Sequence, residues 1–326
     1  MLRYFLSRIL IAIPTLFAVI TLSFFLVHAA PGSPFDTEKP LPPVIRANLD
    51  AKYGLDKPVW EQYLRYVGGL VSLQRKEGDL LPSIELDFGP SYQYKDRTVT
   101  YFIMSGFPVS LKLGLMAIAI ALVVGVTAGS LAALRQNTWI DYTVMGFSMT
   151  GITVPNFVVG PLLQLVVIGI MSMTAVQLFP ITGWGDSWTQ AILPVFVLAL
   201  PQIAYIARQT RGSMIEVLRS NYVRTARAKG MPERITLTRH ALKAAILPVV
   251  SYLGPAVAAI TTGSVVVEKI FRIPGIGTHF VNGALNRDYT MVMGVVIFFG
   301  AIIIIANLIV DVLYGVLDPR VRASHD

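Results

Sequence analysis

Nine Lys/Arg face only two acids between Arg208 and Lys243, a stretch set between two apolar spans. Inside it lies YVRTARAKG, Tyr222 to Gly230. Asn221 is a favoured N-cap type and Gly230 a favoured C′ residue, which predicts a helix between them. Pro232 suits the first turn of a following helix. A helix of about eight residues is about 12 Å long, too short to cross a bilayer and too basic to enter one. It lies along a membrane face and offers a surface, so its chemistry is docking and not catalysis. Met214, Leu218, Tyr222, Ala226 and Gly230 recur every four residues, while Arg219 and Arg227 point elsewhere. The last two of the row are small, so a partner can approach the backbone. A solvated basic loop is the alternative.

Catalytic groupings are missing. Zero cysteines exclude disulfides, thiol catalysis and cysteine-ligated metals. His28, His240, His279 and His325 lack metal-binding spacing and read as interfacial or structural. There is no HExxH, no GxSxG, no pair of carboxylates placed for acid–base work and no G-x-x-x-x-G-K-[ST] phosphate loop. The chain is therefore expected to be no enzyme and to hold no cofactor.

A second motif is EKIFRIPGIG, Glu268 to Gly277, which breaks an apolar region. Irregular backbone at membrane depth is tolerated where it is buried in protein or lines water. Glu268, Pro274, Gly275 and Gly277 are therefore read as an external, re-entrant gate, with an ordinary surface loop as the alternative. Asp311 follows Asn307 by four residues, so both face one side of a helix. An intramembrane acid is a functional candidate by default, but Asp311 sits near a span end, where pairing with a Lys or Arg is the simpler role. Pro155, Pro161, Pro194 and Pro201 are read as kinks.

The elements that carry these motifs are membrane spans. The 326 residues are 54% hydrophobic and 14% charged, with mean hydropathy +0.62, against about a quarter charged in a soluble domain. Uncharged runs of bilayer-crossing length recur, predicting an all-α polytopic membrane protein with six transmembrane helices. The spans run from about Ile9 to Val27, Leu113 to Leu134, Pro155 to Met173, Ile192 to Ala207, Ala245 to Val267 and Val292 to Leu313. An amphipathic lead-in over 142–154 precedes the third. Val27-His28-Ala29 resembles a signal cleavage site, but the first apolar run is long for that role and reads as an uncleaved anchor.

Lys/Arg bias sets the orientation. With the N-terminus inside, Arg3, Arg8, Arg135, the nine of 208–243, Arg320 and Arg322 are cytoplasmic, and the short segment of 268–290 holds only Lys269, Arg272 and Arg287. Both termini are expected in the cytoplasm. The net charge of +8 is explained by a lipid surface and requires no nucleic acid. The long first external segment, about 30 to 105, carries nine basic and ten acidic residues and translocates whatever its charge. Pro43 to Tyr53, ending at Gly54, and Pro58 to Leu73 read as helices. Trp60, Leu64, Val67 and Val71 share a face of the second, which either covers the membrane domain or meets a partner through Trp60, Tyr63 and Tyr66.

MLRYFLSRILIAIPTLF, HAAPGSPF, LPPVIRANLDAKYGL, DFGPSYQYKD, QNTWIDYTVMG, TRGSMIEVL, EKIFRIPGIG, FVNGALNRDYT and VDVLYGVLDPRVR occur in this order. Together they resemble the B-type permease subunits of binding-protein-dependent oligopeptide ABC importers over nearly the whole chain. The loop motif of ABC importer permeases reads Glu-Ala-Ala, three residues, Gly, nine residues, Ile, one residue, Leu-Pro. Here Arg224, Thr225 and Ala226 fill the first places, Gly230 the glycine, and His240, Leu242 and Lys243 the later ones; only Ala226, Gly230 and Leu242 match, and Leu247-Pro248 comes five residues late.

The resemblance implies a type I importer permease fold and a path for oligopeptides shared with a homologous C-type permease. It further implies two ATPase subunits that bind ATP and Mg, and a peptide-binding protein. Tyr222, Arg224, Thr225, Ala226, Arg227 and Gly230 would couple to an ATPase groove. The segments implied are 1–29, an N-terminal tip and first helix; 30–105, external; 106–317, the permease core; and 318–326, a cytoplasmic tail in a bacterial inner membrane. Dipeptide, glutathione and nickel permeases share the framework. A secondary transporter would need ion sites at the midplane, and neither these nor an inverted repeat is evident. An intramembrane enzyme would need the catalytic groups that are missing.

The map predicts that a membrane-impermeant thiol reagent labels a cysteine placed at Gln62 or Asp79 in intact cells. A cysteine at Arg227 is labelled only after permeabilisation. Labelling of Arg227 from outside would overturn the map.

Overall fold

The computed structural model describes residues 2–30, 32–35, 42–74, 83–176, 179–185 and 187–317. Six of its helices are long and apolar enough to cross a membrane, over Arg8–Ala29, Val99–Leu134, Asn156–Thr174, Trp188–Leu218, Leu247–Phe271 and Tyr289–Leu313. In chain order the helices are α1 (Leu2–Ala29), α2 (Pro43–Tyr53), α3 (Val59–Gly69), α4 (Val99–Leu134), α5 (Trp139–Thr153) and α6 (Asn156–Thr174). They continue with α7 (Ile192–Leu218), α8 (Asn221–Ala228), α9 (Glu233–Ile235), α10 (Leu242–Ala245), α11 (Leu247–Phe271), α12 (Ile276–Leu285) and α13 (Tyr289–Leu317). Strands β1 (Val71–Gln74) and β2 (Ser83–Leu86) pair antiparallel, with Val71 opposite Leu86 and Gln74 opposite Ser83. The all-helical expectation thus holds apart from one short hairpin.

Two compact units divide the chain, 1–6 with 110–273 and 305–326, and 7–109 with 274–304. In the first, α7 is the central helix. Its apolar window is 61% buried, against 11% for that of α6, and it packs on α5, α6 and α11. Small residues permit this. A Cβ at Gly125 would lie 2.8 Å from the Ile206 side chain, and one at Gly129 would collide with the Ala207 carbonyl. Glycines four apart let α4 and α7 approach backbone to backbone, the way helices associate where water supplies no hydrophobic drive. Thr127, Thr143, Thr150, Thr153 and Thr174 donate to carbonyls one turn back, so these five hydroxyls are satisfied within their own helices.

In the second unit α4 starts at Val99, well before the predicted Leu113. The reason is burial, since Val99, Phe102 and Ile103 form a core with Phe24, Phe88, Ile276, Met291 and Val295. α2 ends at Gly54 with φ +70, as its sequence predicts. α3 is shorter than expected, because Gly68 and Gly69 are poor helix formers and Val71 enters the hairpin. Of the two readings of its Trp60–Leu64 face, the covering one fails. Trp60 and Leu64 are 62% and 59% exposed, and it is Tyr63, Tyr66 and Leu70 that pack onto the core.

Asp288 fastens this unit. It is 1% exposed and accepts from the Ser91 hydroxyl, the Tyr92 amide (3.2 Å), the Thr290 hydroxyl (3.0 Å) and the Met291 amide (3.2 Å). It thereby caps α13 and anchors the 91–94 turn together. Asp288→Ala strands these donors and is expected to cost about 3 kcal/mol, read as a lower Tm of the solubilised protein. Asp288→Asn retains acceptor capacity and should lose less. An unchanged Tm in the Ala variant would show that the knot is dispensable.

Candidate functional site

The basic stretch leaves α7 where that helix breaks at Arg219 and Ser220. Ser220 occupies the N-cap, which corrects the expected Asn221, now the first helical residue. The Ser220 hydroxyl donates to the Val217 carbonyl (2.6 Å) and does not cap α8. The four-residue row does not persist as a face, because the break turns α8 relative to α7. Val223 (0% exposed) and Ala226 are its inward side, and Val223 clusters with Ala133, Met214, Ala241 and Ala245. Tyr222, Arg224, Thr225 and Arg227 are exposed. At the C-terminus Gly230 takes φ +73. The Met231 amide reaches the Ala226 carbonyl (3.2 Å) and the Gly230 amide the Arg227 carbonyl (2.9 Å), a Schellman closure. A Cβ at Gly230 would meet nothing within 4 Å among the described residues, so the space beside it is open to them.

Arg227 donates two hydrogen bonds to Glu233 (2.6 and 3.2 Å), tying α8 to α9. The Arg227 hydrogen bond holds the Glu233 carboxyl below its usual range. Both side chains are about half exposed, which limits the pair to under about 1 kcal/mol. A π-helical turn, Thr236–Ala241, follows α9 and buries Thr236 and Ala241.

Asp141, which was not singled out in the sequence, forms the buried ion pair of this region. Arg211 of α7 grips it with Nε at 2.5 Å and Nη2 at 2.6 Å, and the Asn137 amide donates from 2.9 Å. Asn137 holds φ +63 to aim that amide. The signal was present in QNTWIDYTVMG as an acid in the first turn of a helix. Nothing in spacing alone linked it to an arginine 70 positions away. The Arg211 hydrogen bonds lower the Asp141 pKa, against the opposing effect of burial. The pair locks α5 to α7 about two turns before the end of α7.

EKIFRIPGIG is built helix, turn, helix. α11 runs through Glu268 to Phe271, Arg272 takes φ +56, and the Ile273 amide closes onto the Glu268 carbonyl (2.8 Å). Glu268 is fully buried and accepts from the Ser110 hydroxyl (2.7 Å). Pro274 is exposed; Gly275 and Gly277 are buried, with Gly275 as N-cap of α12. At ten residues, α12 is about 15 Å long, too short to cross. Gly106 lets α4 pass it closely, a Cβ there lying 2.8 Å from the Ile276 nitrogen. Asn307 lies against Gly254 of α11, where a Cβ would collide with its side chain.

Trp60, Tyr63 and Tyr66 do not form one exposed patch. The Tyr63 hydroxyl pairs with Thr21 (2.7 Å) and its ring stacks on Phe25, while Tyr66 packs beside Phe24. Only Trp60 of the three points outward. The Tyr66 hydroxyl is pushed above its usual range by burial, and that of Tyr92 up to about 12 by the same cause. Among the described residues no group of His, Cys, Asp and Glu could hold a metal ion.

Residues 125–323 match the family described as the binding-protein-dependent transport system inner membrane component, and residues 1–114 match its N-terminal companion. The chain belongs to this permease family. It is 53% identical over 323 residues to the oligopeptide transport system permease protein OppB of Salmonella typhimurium, covering 99% of this chain and all of that one. OppB of Haemophilus influenzae is 49% identical over 325 residues, with the same coverage. The dipeptide transport system permease protein DppB of Bacillus subtilis is 40% identical over 324 residues, covering 99% of this chain and 98% of that one. A permease of this family is a multi-pass inner-membrane protein, and the six helices supply the spans. It is a transport subunit and not an enzyme.

Asp141 sets a pH test for this permease. A carboxyl with a depressed folded pKa contributes fully above its ordinary value near 4 and loses that contribution as pH falls through the lower folded value. Asp141→Ala leaves the Arg211 guanidinium unpaired and is expected to cost about 2–3 kcal/mol at pH 7. The Tm gap between parent and variant should stay constant from pH 8 to about 5 and close only below about 4. A gap that closes between pH 7 and 6 would show that another group carries the effect.

Proposed function

We propose that this chain is one of two transmembrane subunits of an ATP-driven peptide importer. The observation that carries the reading is end-to-end identity near 50% with permeases named for oligopeptide transport. The partners are a homologous C-type permease, two ATPase subunits that bind ATP and Mg, and a peptide-binding protein. Both termini face the cytoplasm, and the 208–243 segment with them. Residues 30–105 are the external segment, 106–317 the permease core and 318–326 the tail. The dipeptide relative supports a second reading in which the cargo is shorter.

In this scheme α8 sits in an ATPase groove through Tyr222, Arg224, Thr225 and Arg227, with Ala226 holding it to its own chain. The open space at Gly230 receives the groove wall. Closure of the ATPases pushes α8, and the buried Asp141–Arg211 pair makes α5 move with α7. Glu268 and Ser110 hold α11 to α4, and Pro274, Gly275 and Gly277 shape the turn into α12 at the external gate. Trp60, exposed with Leu64 on α3, meets the binding protein, since large aromatics supply contact area at interfaces. Tyr63 and Tyr66 fix the pose of α3.

Co-expression with the four partners should yield a complex that imports peptides only when ATP and the binding protein are both present. Gly230→Val should insert at normal abundance, because no span depends on the position, while uptake falls severely. Its Cβ costs about 1 kcal/mol at positive φ and excludes the groove wall. Arg224→Ala should do less, as an exposed charge is worth under about 1 kcal/mol. Normal uptake by Gly230→Val would remove α8 from coupling.

A further inference from the structure

The second unit encloses a cavity of about 320 Å³ among α1, α2, α3, the 87–92 strand-to-turn segment and the start of α13. That volume lies at the small end of ligand sites, which span roughly 300–1,000 Å³. Its floor is apolar and buried, with Phe24 and Met293, and exposed Lys52 and Arg65 stand at its edge. Most polar groups around it are already engaged. The Gln62 amide nitrogen donates to the Lys57 carbonyl (2.8 Å), and its side-chain oxygen accepts from the His28 ring at 3.2 Å. Asp87 accepts from the Gly89 amide at 2.9 Å through one oxygen.

Tyr66 is different. Its hydroxyl is shielded from solvent and has no hydrogen-bond partner among the described residues, although it lines the cavity. A buried, unpaired hydroxyl is costly unless something in the cavity completes it. Around it the charge is mixed, two cations against one carboxylate, and Phe24, Tyr53 and Tyr92 supply aromatic wall. Such a lining suits a group with an anionic end, an amide N–H and a modest apolar body.

We propose that this cavity binds the C-terminal residue of a peptide. The carboxylate accepts from the Tyr66 hydroxyl and faces Lys52 and Arg65; the free oxygen of Asp87 accepts the last peptide N–H; the side chain lies on the aromatic wall. The rest of the peptide leaves by the open edge. The site specifies a free carboxyl end and little else, which fits cargo of varied sequence. The assignment rests on the peptide reading of the chain's function.

The test uses the full-length permease in nanodiscs of phosphatidylcholine, without the binding protein, and a radiolabelled tripeptide with a free C-terminus. Saturable binding is expected, weakened about tenfold by C-terminal amidation, by Tyr66→Phe and by Arg65→Gln. Tyr66→Phe keeps the ring packing, so its Tm should match the parent, and Lys95→Gln, exposed and outside the cavity, should bind as the parent does. Equal binding of acid and amide overturns the proposal, as does normal binding by a natively folded Tyr66→Phe protein. Acetate competing at the same concentration as the tripeptide also overturns it, because the site would then take any small carboxylate. Peptide uptake by the complete complex is measured alongside. Absent uptake by the parent counts against the transport function, whereas normal uptake with cavity-insensitive binding sinks the cavity assignment alone.

Discussion

Hydrocarbon offers no partner to a backbone amide or carbonyl, and this constraint governs the molecule. Every crossing segment must close its own hydrogen bonds, so the spans are helices and threonines within them turn back on their own carbonyls. The same solvent removes the hydrophobic drive between helices. Association then depends on close approach, and Gly125 and Gly129 on α4 provide it for α7. The buried carboxylates are completed by partners, Asp141 by Arg211 and Glu268 by Ser110.

From this follows a division of roles along α7. Its middle is the most buried of the spans, its later turns hold Arg211, and its end gives way to α8 across a two-residue break. A helix packed on several neighbours transmits displacement as a unit, because close-packed interiors deform little. The buried Val223 and Ala226 fasten α8 to the same body, leaving its cationic side exposed. The segment can therefore meet a partner with one face while the other reports to the spans, which is the arrangement that the proposed coupling requires.

The second unit is organised by aromatic packing and one carboxylate. Phe24, Tyr63 and Tyr66 seat α3 on α1, and Asp288 gathers the 91–94 turn at the start of α13. With these contacts made, the Tyr66 hydroxyl remains as a donor in a cavity, and Trp60 remains on the outside.

The sequence by itself determined the six spans, the α2 helix with its glycine stop, the positive φ at Gly230 and the family. These are properties of local composition, periodicity and residue type, which hydrocarbon and backbone sterics read directly. It did not decide whether the Trp60–Leu64 face of α3 covers its own chain or stays outside, and it is Tyr63 and Tyr66 that turn inward, because an amphipathic pattern does not say which neighbour arrives. It did not extend α4 back to Val99, whose helical turn is held by residues near 291–295. The four-residue row of Met214 to Gly230 was legible as spacing, and a break at Arg219 and Ser220 divided it. The Asp141–Arg211 pair joins positions 70 apart, and the Tyr66 cavity joins α1, α2, α3 and α13. Only tertiary packing decided those, since which charges meet and which hydroxyl is left unpaired depends on distances that a linear pattern does not contain.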